Sequence, residues 1–409
     1  MGKMTVKQAA EKWGVTPRRV QELCKKGDIV GAQLWERTWM IPLDAEYPSK
    51  KNKNQTFSPN LKMPRKTPFL DMTDIYDEIG NADECAKKLD GHQEAKALYL
   101  AEIAYSRGEI DKVYAYANYF LENHTGFYAI IAGGVLLAMC ALWKGDIDLW
   151  KKAKLHICEA PCRNDIDRDI LDLSLSVINL DIRDTKEFPE WFKRGSFLNL
   201  PADAHPVARM YYVKYLMTFA QEVAMEKRQQ SGVERMGIIN MLPHIVEPFI
   251  TQAVVDKTVM AELYMRLLAA ITYKNSGNQD MAVMQIDKAI TIALADGFLG
   301  TLVEHRRQLG YLLDERLALV SEDALKKVKT LHRQLHEGWV TIHNKVLDNN
   351  VTTAITMRER EVVRLALFGL SDSEIAERLN ISKSTVKSLI SMAKNKTGSI
   401  KRSELIAYI

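Results

Sequence analysis

From Leu70 to Asn344, apolar positions recur at helical spacing in segments of helix length, divided by short turns of Gly, Asp and Asn. The pattern predicts an almost entirely helical middle. Three of its turns are alike. Tyr99 to Asp111 ends one helix at Gly108 and starts the next; Lys144 to Asp148 repeats the turn at Gly145; Ser276 to Asp280 repeats it at Gly277, followed by Ala282 and Ala289. A left-handed Gly ends the first helix, polar residues begin the second, and small Ala residues let the pair approach closely. Tyr128 to Trp143 is nearly uncharged but interrupted by Gly133 and Gly134. It is shorter than the ~18 apolar residues of a membrane span and reads as a buried helix. Arg183 to Pro206 breaks the pattern, with Phe188, Trp191, Phe192 and Phe197 among Pro and Gly. Aromatics in such a connection are expected to cover apolar surface of the body.

The two ends have a different rhythm. Near the C-terminus, Thr356 with Glu359 and Ser371 with Glu374 are capping boxes that start two helices, the first stopped by Gly369. Ile375, Ala376 and Leu379 share a face of the short second helix. Asn380 to Ser382 makes a tight turn, and Ser382 or Ser384 caps a third helix whose Val386, Leu389 or Ile390, and Ala393 face inward. Short helices joined this way are helix-turn-helix geometry. The outer side of the third helix carries Lys383, Ser384, Lys387, Ser388, Ser391 and Lys394. Lysines neutralise phosphates and hydroxyls reach phosphates or base edges. At the N-terminus, Thr5 with Gln8 is a capping box, Gly14 to Thr16 is a turn, and Pro17 opens a second helix stopped by Gly27. Ile29 to Trp35 and Thr38 to Ile41 read as a two-stranded ribbon.

Charge sharpens this division. Residues 1–66 hold 14 Lys/Arg against 6 Asp/Glu, and residues 352–409 hold 10 against 6, whereas the middle is acidic. Basic ends on an acidic body suggest two nucleic-acid contacts carried by a core that does not itself bind. The Lys- and Pro-rich stretch 49–68 contains no acid and reads as a solvated tether. The expected organisation is an N-terminal module over 1–48, a linker over 49–68, a helical sensor or interaction domain over 69–350 and a C-terminal module over 351–409, mainly α throughout. Five scattered Cys suggest free thiols in a reducing cytosol, hence a cytoplasmic protein with no membrane contact.

Three resemblances follow. Thr356 to Val363, Gly369, Ser371, Glu374 to Ala376, Leu379, Ile381, Ser382 and Thr385 to Lys387 closely resemble the LuxR/GerE family of DNA-binding transcription regulators. The resemblance implies a four-helix module, with Lys387, Ser388 and Ser391 at base edges and Lys383, Thr385 and Lys394 on phosphate. The family often has His where this chain has Leu389, which puts sequence preference in doubt. Arg402 to Ile409 resembles the fourth helix that pairs two such modules, so a homodimer is expected. The N-terminal pattern, with Arg37, Trp39, Ile41 and Pro42, resembles the winged modules of excisionase and MerR proteins. By that resemblance Thr16, Arg18, Arg19 and Gln21 meet the groove and Arg37 meets the minor groove or phosphate; a protein-contact role is the alternative. Residues 258–296, with Gly277, Ala282 and Ala289, look like tetratricopeptide repeats, whose stacking exposes a concave docking surface.

Other chemistry is not indicated. There is no phosphate-binding Gly-rich loop ending in Gly-Lys-Ser/Thr and no Ser/His/Asp or paired-carboxylate motif, so neither an enzyme nor a cofactor is expected. His156, Cys158 and Cys162 lack a fourth ligand and read as a helix end with free thiols, not a metal site. His332, His336 and His343 share one helix face, where a solvated or capping role is expected. The leading reading is a one-component bacterial regulator of transcription that binds double-stranded DNA, with a small-molecule, peptide or protein effector at the helical body. The alternatives are a non-enzymatic scaffold localised to DNA and a recombination accessory.

Overall fold

A computed structural model of the chain describes residues 3–25, 29, 32–35, 38–43, 45, 75–124, 126–226 and 232–409. The chain divides into two compact units, 1–60 and 61–409. The linker expected over 49–68 and the wing-tip Arg37 lie outside the described residues.

The first unit begins with β1 (Lys3–Thr5), α1 (Val6–Trp13) and α2 (Pro17–Lys25), then β2 (Gln33–Trp35) and β3 (Thr38–Pro42). Thr5 and Gln8 form the expected capping box on α1, and Gly14 ends it in the left-handed region at φ 65°. The sheet has three strands rather than two, in antiparallel order β1–β3–β2, with Met4 opposite Ile41 and Leu34 opposite Trp39. β1 has only three residues, too few for a period-2 pattern to register in the sequence. Met4, Ala9, Ala10, Val20, Leu23 and Ile41 close a core of its own.

The second unit is helical. Its body contains α3 (Ala82–Cys85), α4 (Gln93–Arg107), α5 (Ile110–Asn123), α6 (Phe127–Lys144), α7 (Ile147–Cys158), α8 (Asp165–Asp181), α9 (Glu190–Lys193) and α10 (His205–Glu226). It continues through α11 (Gly232–Val255), α12 (Val259–Ser276), α13 (Gln279–Ala295), α14 (Leu299–Leu309), α15 (Tyr311–Val320) and α16 (Glu322–Leu347). Successive helices such as α5, α6 and α7, or α11, α12 and α13, pack on one another. The three like turns are left-handed caps at Gly108, Gly145 and Gly277. Asp146 and Asn278 then cap the following helices, accepting from the Leu149 N–H at 2.9 Å and the Met281 N–H at 3.2 Å. Ala282 and Ala289 are fully buried.

Among the described residues α6 alone is long and apolar enough to cross a membrane, and 78% of it is buried inside the body. Its glycines face neighbours closely: a Cβ at Gly133 would strike Leu121 of α5, and one at Gly134 would strike Ile157 of α7. The irregular stretch after α8 packs as expected. Phe188 and Phe192 are buried and stack at 5.3 Å, with Tyr215 of α10 beside them.

α16 crosses the end of α6 at Gly338, where a Cβ would collide with the Leu142 carbonyl and the Gly145 N–H. Gly→Ala inside an unobstructed helix stabilises by about 0.5–1 kcal/mol. Here the obstacle is backbone that cannot step aside, so Gly338→Ala is expected to destabilise the chain by about 1–3 kcal/mol. Urea denaturation of the full chain checks the sign; a raised midpoint would show that the helices separate freely.

The body leads through Asp348 (φ 53°) into α17 (Met357–Leu367), α18 (Asp372–Arg378), α19 (Lys383–Thr397) and a 3₁₀ segment, Arg402–Tyr408. The Asn344 amide holds the connection by pairing with both the N–H and the carbonyl of Val351, at 2.9 and 2.8 Å. These last elements have their own small core of Val362, Val363, Ile375, Val386, Ile390 and Leu405. Phe368, however, is buried in the core of the body, so the C-terminal module is docked on it.

Candidate nucleic-acid interface

Local hydrogen bonds fix the module. The Thr356 hydroxyl accepts from the Glu359 N–H at 3.3 Å, and the Glu359 carboxylate accepts from the Thr356 N–H at 2.7 Å. Ser371 and Glu374 repeat this reciprocal pair at 3.3 and 2.6 Å. Burial raises the Glu359 carboxyl, but Lys396 at 2.8 Å and its bonds to Thr356 outweigh that and hold it below the usual carboxylate range. Asn380, at φ 49°, turns the chain between α18 and α19, and the Ile381 N–H returns to the Ala376 carbonyl at 2.9 Å. Ser382, rather than Ser384, caps α19, accepting from the Thr385 N–H at 3.0 Å.

α19 buries Val386, Ile390 and Ala393. Its other side presents Lys383, Ser384, Thr385, Lys387, Ser388 and Ser391 to solvent, with Lys394 half-buried at the edge. Among the described residues no ion pair engages Lys383, Lys387 or Lys394. The Ser384 and Thr385 hydroxyls each contact the Ser382 hydroxyl at 2.7 Å, so part of their hydrogen-bonding capacity is spent on the cap. The 3₁₀ segment closes the module from behind: Leu405 is fully buried and Arg402 pairs with Asp372 at 3.0 Å. The fourth element expected as an α-helix is thus a tighter 3₁₀ turn, and part of it is turned inward. The Ile409 carbonyl accepts from Arg307 of α14 at 2.6 Å.

In the N-terminal unit, the Thr16 hydroxyl accepts from the Arg19 N–H at 3.3 Å, starting α2. Thr16, Arg18 and Gln21 are exposed and Arg19 is half-buried. Arg18 and Arg19 share Glu22 as a partner, at 3.8 and 3.4 Å. Sequence reasoning passed over Leu34 and Trp35 near the ribbon turn, which are 60% and 70% exposed.

It also missed the junction between the body and the C-terminal module. Lys274 of α12 pairs with Glu361 of α17 at 2.5 Å, and Arg358 reaches the same carboxylate at 2.8 Å. Arg378 of α18 donates to the Asn275 carbonyl at 3.2 Å, beside Gly277. Of the histidines of α16, His343 is buried and His332 and His336 are half-buried against one another and Trp339. His332 and His336 stack at 5.7 Å, His336 on Trp339 at 6.3 Å, and Trp339 on His343 at 4.4 Å, forming a column along one helix face. One ring nitrogen of His343 sits 2.7 Å from the Ile182 carbonyl, while His332 and His336 meet Arg306 and Arg360. A shared helix face was readable from spacing, but which surface covers it depends on helices distant in sequence.

Residues 356–396 match the family model described as sigma-70, region 4, a helix-turn-helix DNA-binding fold. The match covers α17, α18 and nearly all of α19; it supports a helix-turn-helix DNA-binding module and does not show the LuxR/GerE family. No curated protein and no solved structure matches this chain.

Proposed function

We propose that this protein is a non-enzymatic, sequence-specific regulator of transcription that reads double-stranded DNA with α19, in the cytoplasm or nucleoid of a bacterium. The observation that carries this reading is the outer face of α19. It is an exposed, capped helix that carries hydroxyls and lysines engaged in no ion pair among the described residues, standing on the core of a helix-turn-helix fold. Such a helix fits the major groove, where side chains from its N-terminal turns reach base edges. Lys387, Ser388 and Ser391 are assigned to bases, and Lys383, Thr385 and Lys394 to phosphates, with Ser384 beside them at the helix start. The helical body is assigned to an effector, in keeping with its resemblance to tetratricopeptide repeats. A homodimer through Arg402 to Ile409 remains part of the proposal, with exposed Ile406 as its apolar contact.

Lys387→Ala is expected to weaken binding to DNA selected from a random pool by about 1–3 kcal/mol when the lysine touches a base. Fluorescence anisotropy on selected and random duplexes checks this. Equal weakening on both assigns Lys387 to phosphate, and unchanged affinity on both removes α19 as the reading helix.

Thr16, Arg18, Arg19 and Gln21 supply a second DNA contact in this proposal. Replacing Arg18 and Arg19 together by Ala in the full chain is expected to lower the dependence of log K on log salt by about two. A salt slope equal to that of the unaltered chain assigns the N-terminal unit to protein contact.

A further inference from the structure

Two adjoining cavities lie where the C-terminal module meets the body. One, of about 460 Å³, opens between α12, α14 and α15 on one side and α17 and α18 on the other. The second, of about 140 Å³, lies among α8, α10, α14 and α16. Arg307 and Gln308 line both. Four arginines converge here: Arg183 after α8 and Arg307 on α14 from the body, Arg360 and Arg364 from successive turns of α17.

These guanidinium groups are poorly compensated. Nε of Arg307, one Nη of Arg360 and one Nη of Arg364 are buried with no hydrogen-bond partner among the described residues. The remaining contacts of Arg307 are the Ile409 carbonyl and the face of Trp339, 4.1 Å from its ring centre; Arg183 also lies over that ring, at 5.5 Å. Arg360 donates to the Thr352 carbonyl at 3.1 Å. Burial, reinforced by the neighbouring arginines, pulls Arg183 down to about 9 and Arg360 to about 10, and lowers Arg307 as well. Nearby carboxylates compensate only in part: Glu361, shared with Lys274 and Arg358, offsets Arg364 and Glu222 offsets Arg183, while Asp181 is engaged by Lys214 and Tyr211 and Glu304 by Tyr105. Glu315 stands exposed at the rim.

Buried like charges with incomplete counter-charge are costly, and the cost is offset when an anion accepts their free N–H groups. Three orphaned donors on three arginines that line two adjoining cavities suit the several oxygens of a phosphate group. We propose that the junction binds a small phosphorylated metabolite carrying at least two negative charges, which bridges Arg183 and Arg307 of the body to Arg360 and Arg364 of α17. The ligand then cancels a repulsion acting across the docking surface and stabilises the docked arrangement of the module. This rests on the regulatory reading above and names the chemical class of its effector; coupling to DNA follows from preference for one arrangement.

The test uses the full chain, with inorganic phosphate, pyrophosphate and tripolyphosphate as probes at constant ionic strength. Tripolyphosphate is expected to raise Tm saturably, by roughly 3–5 °C at about a hundredfold excess over its Kd. Arg364→Gln is expected to lose that rise while its own Tm without phosphate is equal or higher, since one repelling charge is gone. A purely structural arginine would lower it. Arg307→Lys keeps the charge but loses the fork and is expected to weaken tripolyphosphate binding about tenfold. Lys383→Ala with Lys387→Ala is expected to keep the rise in Tm while losing DNA, so failure of the DNA reading and failure of this one are separable. A rise that survives in Arg364→Gln, vanishes in the Lys383/Lys387 variant, or appears with an acidic hexapeptide but with none of the phosphates overturns the proposal. So does the absence of any saturable shift.

Discussion

Taking the full chain from about pH 7 to about pH 5 is expected to remove several kcal/mol of its stability, near 2 kcal/mol for each of four histidines. Burial holds His305 and His332 down to about 3, His336 to about 2 and His343 to about 4. Neighbouring cations add to it: Lys214 beside His305, Arg306, Arg307 and Arg360 beside His332, Arg307 and Arg360 beside His336, and Arg183 and Arg307 beside His343. In the unfolded chain these rings protonate near 6.5. The folded state therefore binds fewer protons than the unfolded state between the two values. Stability is full above the unfolded pKa and is lost as pH falls below it. Asp181 acts in the opposite direction, because burial raises its carboxyl, but only nearer the carboxylate range. Denaturation midpoints at the two pH values check the result. Equal midpoints would mean that the rings are hydrated, and His336→Gln should recover part of the acid loss.

Glu361→Leu is expected to cost about 3–5 kcal/mol and to act on the junction rather than on either core, because breaking a buried pair strands its partner. Lys274 is 13% exposed and Glu361 is 10% exposed. Burial lowers Lys274, with Glu361 opposing the shift, and Glu361 is the carboxylate that offsets the buried charge of Arg364. Without it, Lys274 of the body and Arg358 and Arg364 of α17 face one another with their nearest counter-charge removed. The body and the module have separate cores, so the expected result is undocking with both still folded. Calorimetry should show one transition dividing into two, and protease should cut between Asp348 and Thr356. Replacing Lys274 and Glu361 together by Leu should restore most of the loss. A single unshifted transition with an unchanged cleavage pattern would show that the pair contributes nothing to docking.

Much of the candidate DNA interface was legible in advance because its determinants are local. The boxes at Thr356/Glu359 and Ser371/Glu374 join residues three apart, and Val386, Ile390 and Ala393 repeat at helical spacing. Once those positions are inside, Lys383, Lys387, Ser388 and Ser391 are outside by geometry alone. The turns at Gly108, Gly145 and Gly277 were readable for the same reason, since a left-handed cap favours a residue without Cβ. The choice of Ser382 over Ser384 was not, because either hydroxyl lies within reach of the first turn.

What the sequence determined by itself was therefore the helical character of the middle, the helix ends at its three Gly turns and in the two terminal modules, the buried character of α6 and the outward face of α19. These depend on hydrogen bonds and side-chain periods spanning only a few residues. Tertiary structure alone decided the third strand of the N-terminal sheet, where three residues at the start of the chain pair with β3. It decided that Phe368 enters the core of the body and that the Ile409 carbonyl meets Arg307. It also decided that Arg183, Arg307, Arg360 and Arg364 share one space. Each looks like an ordinary surface charge in its own segment, and only the packing of α14, α16 and α17 brings them together and withdraws them, Arg360 most completely, from water. That cost lies between segments, so no local pattern announces it.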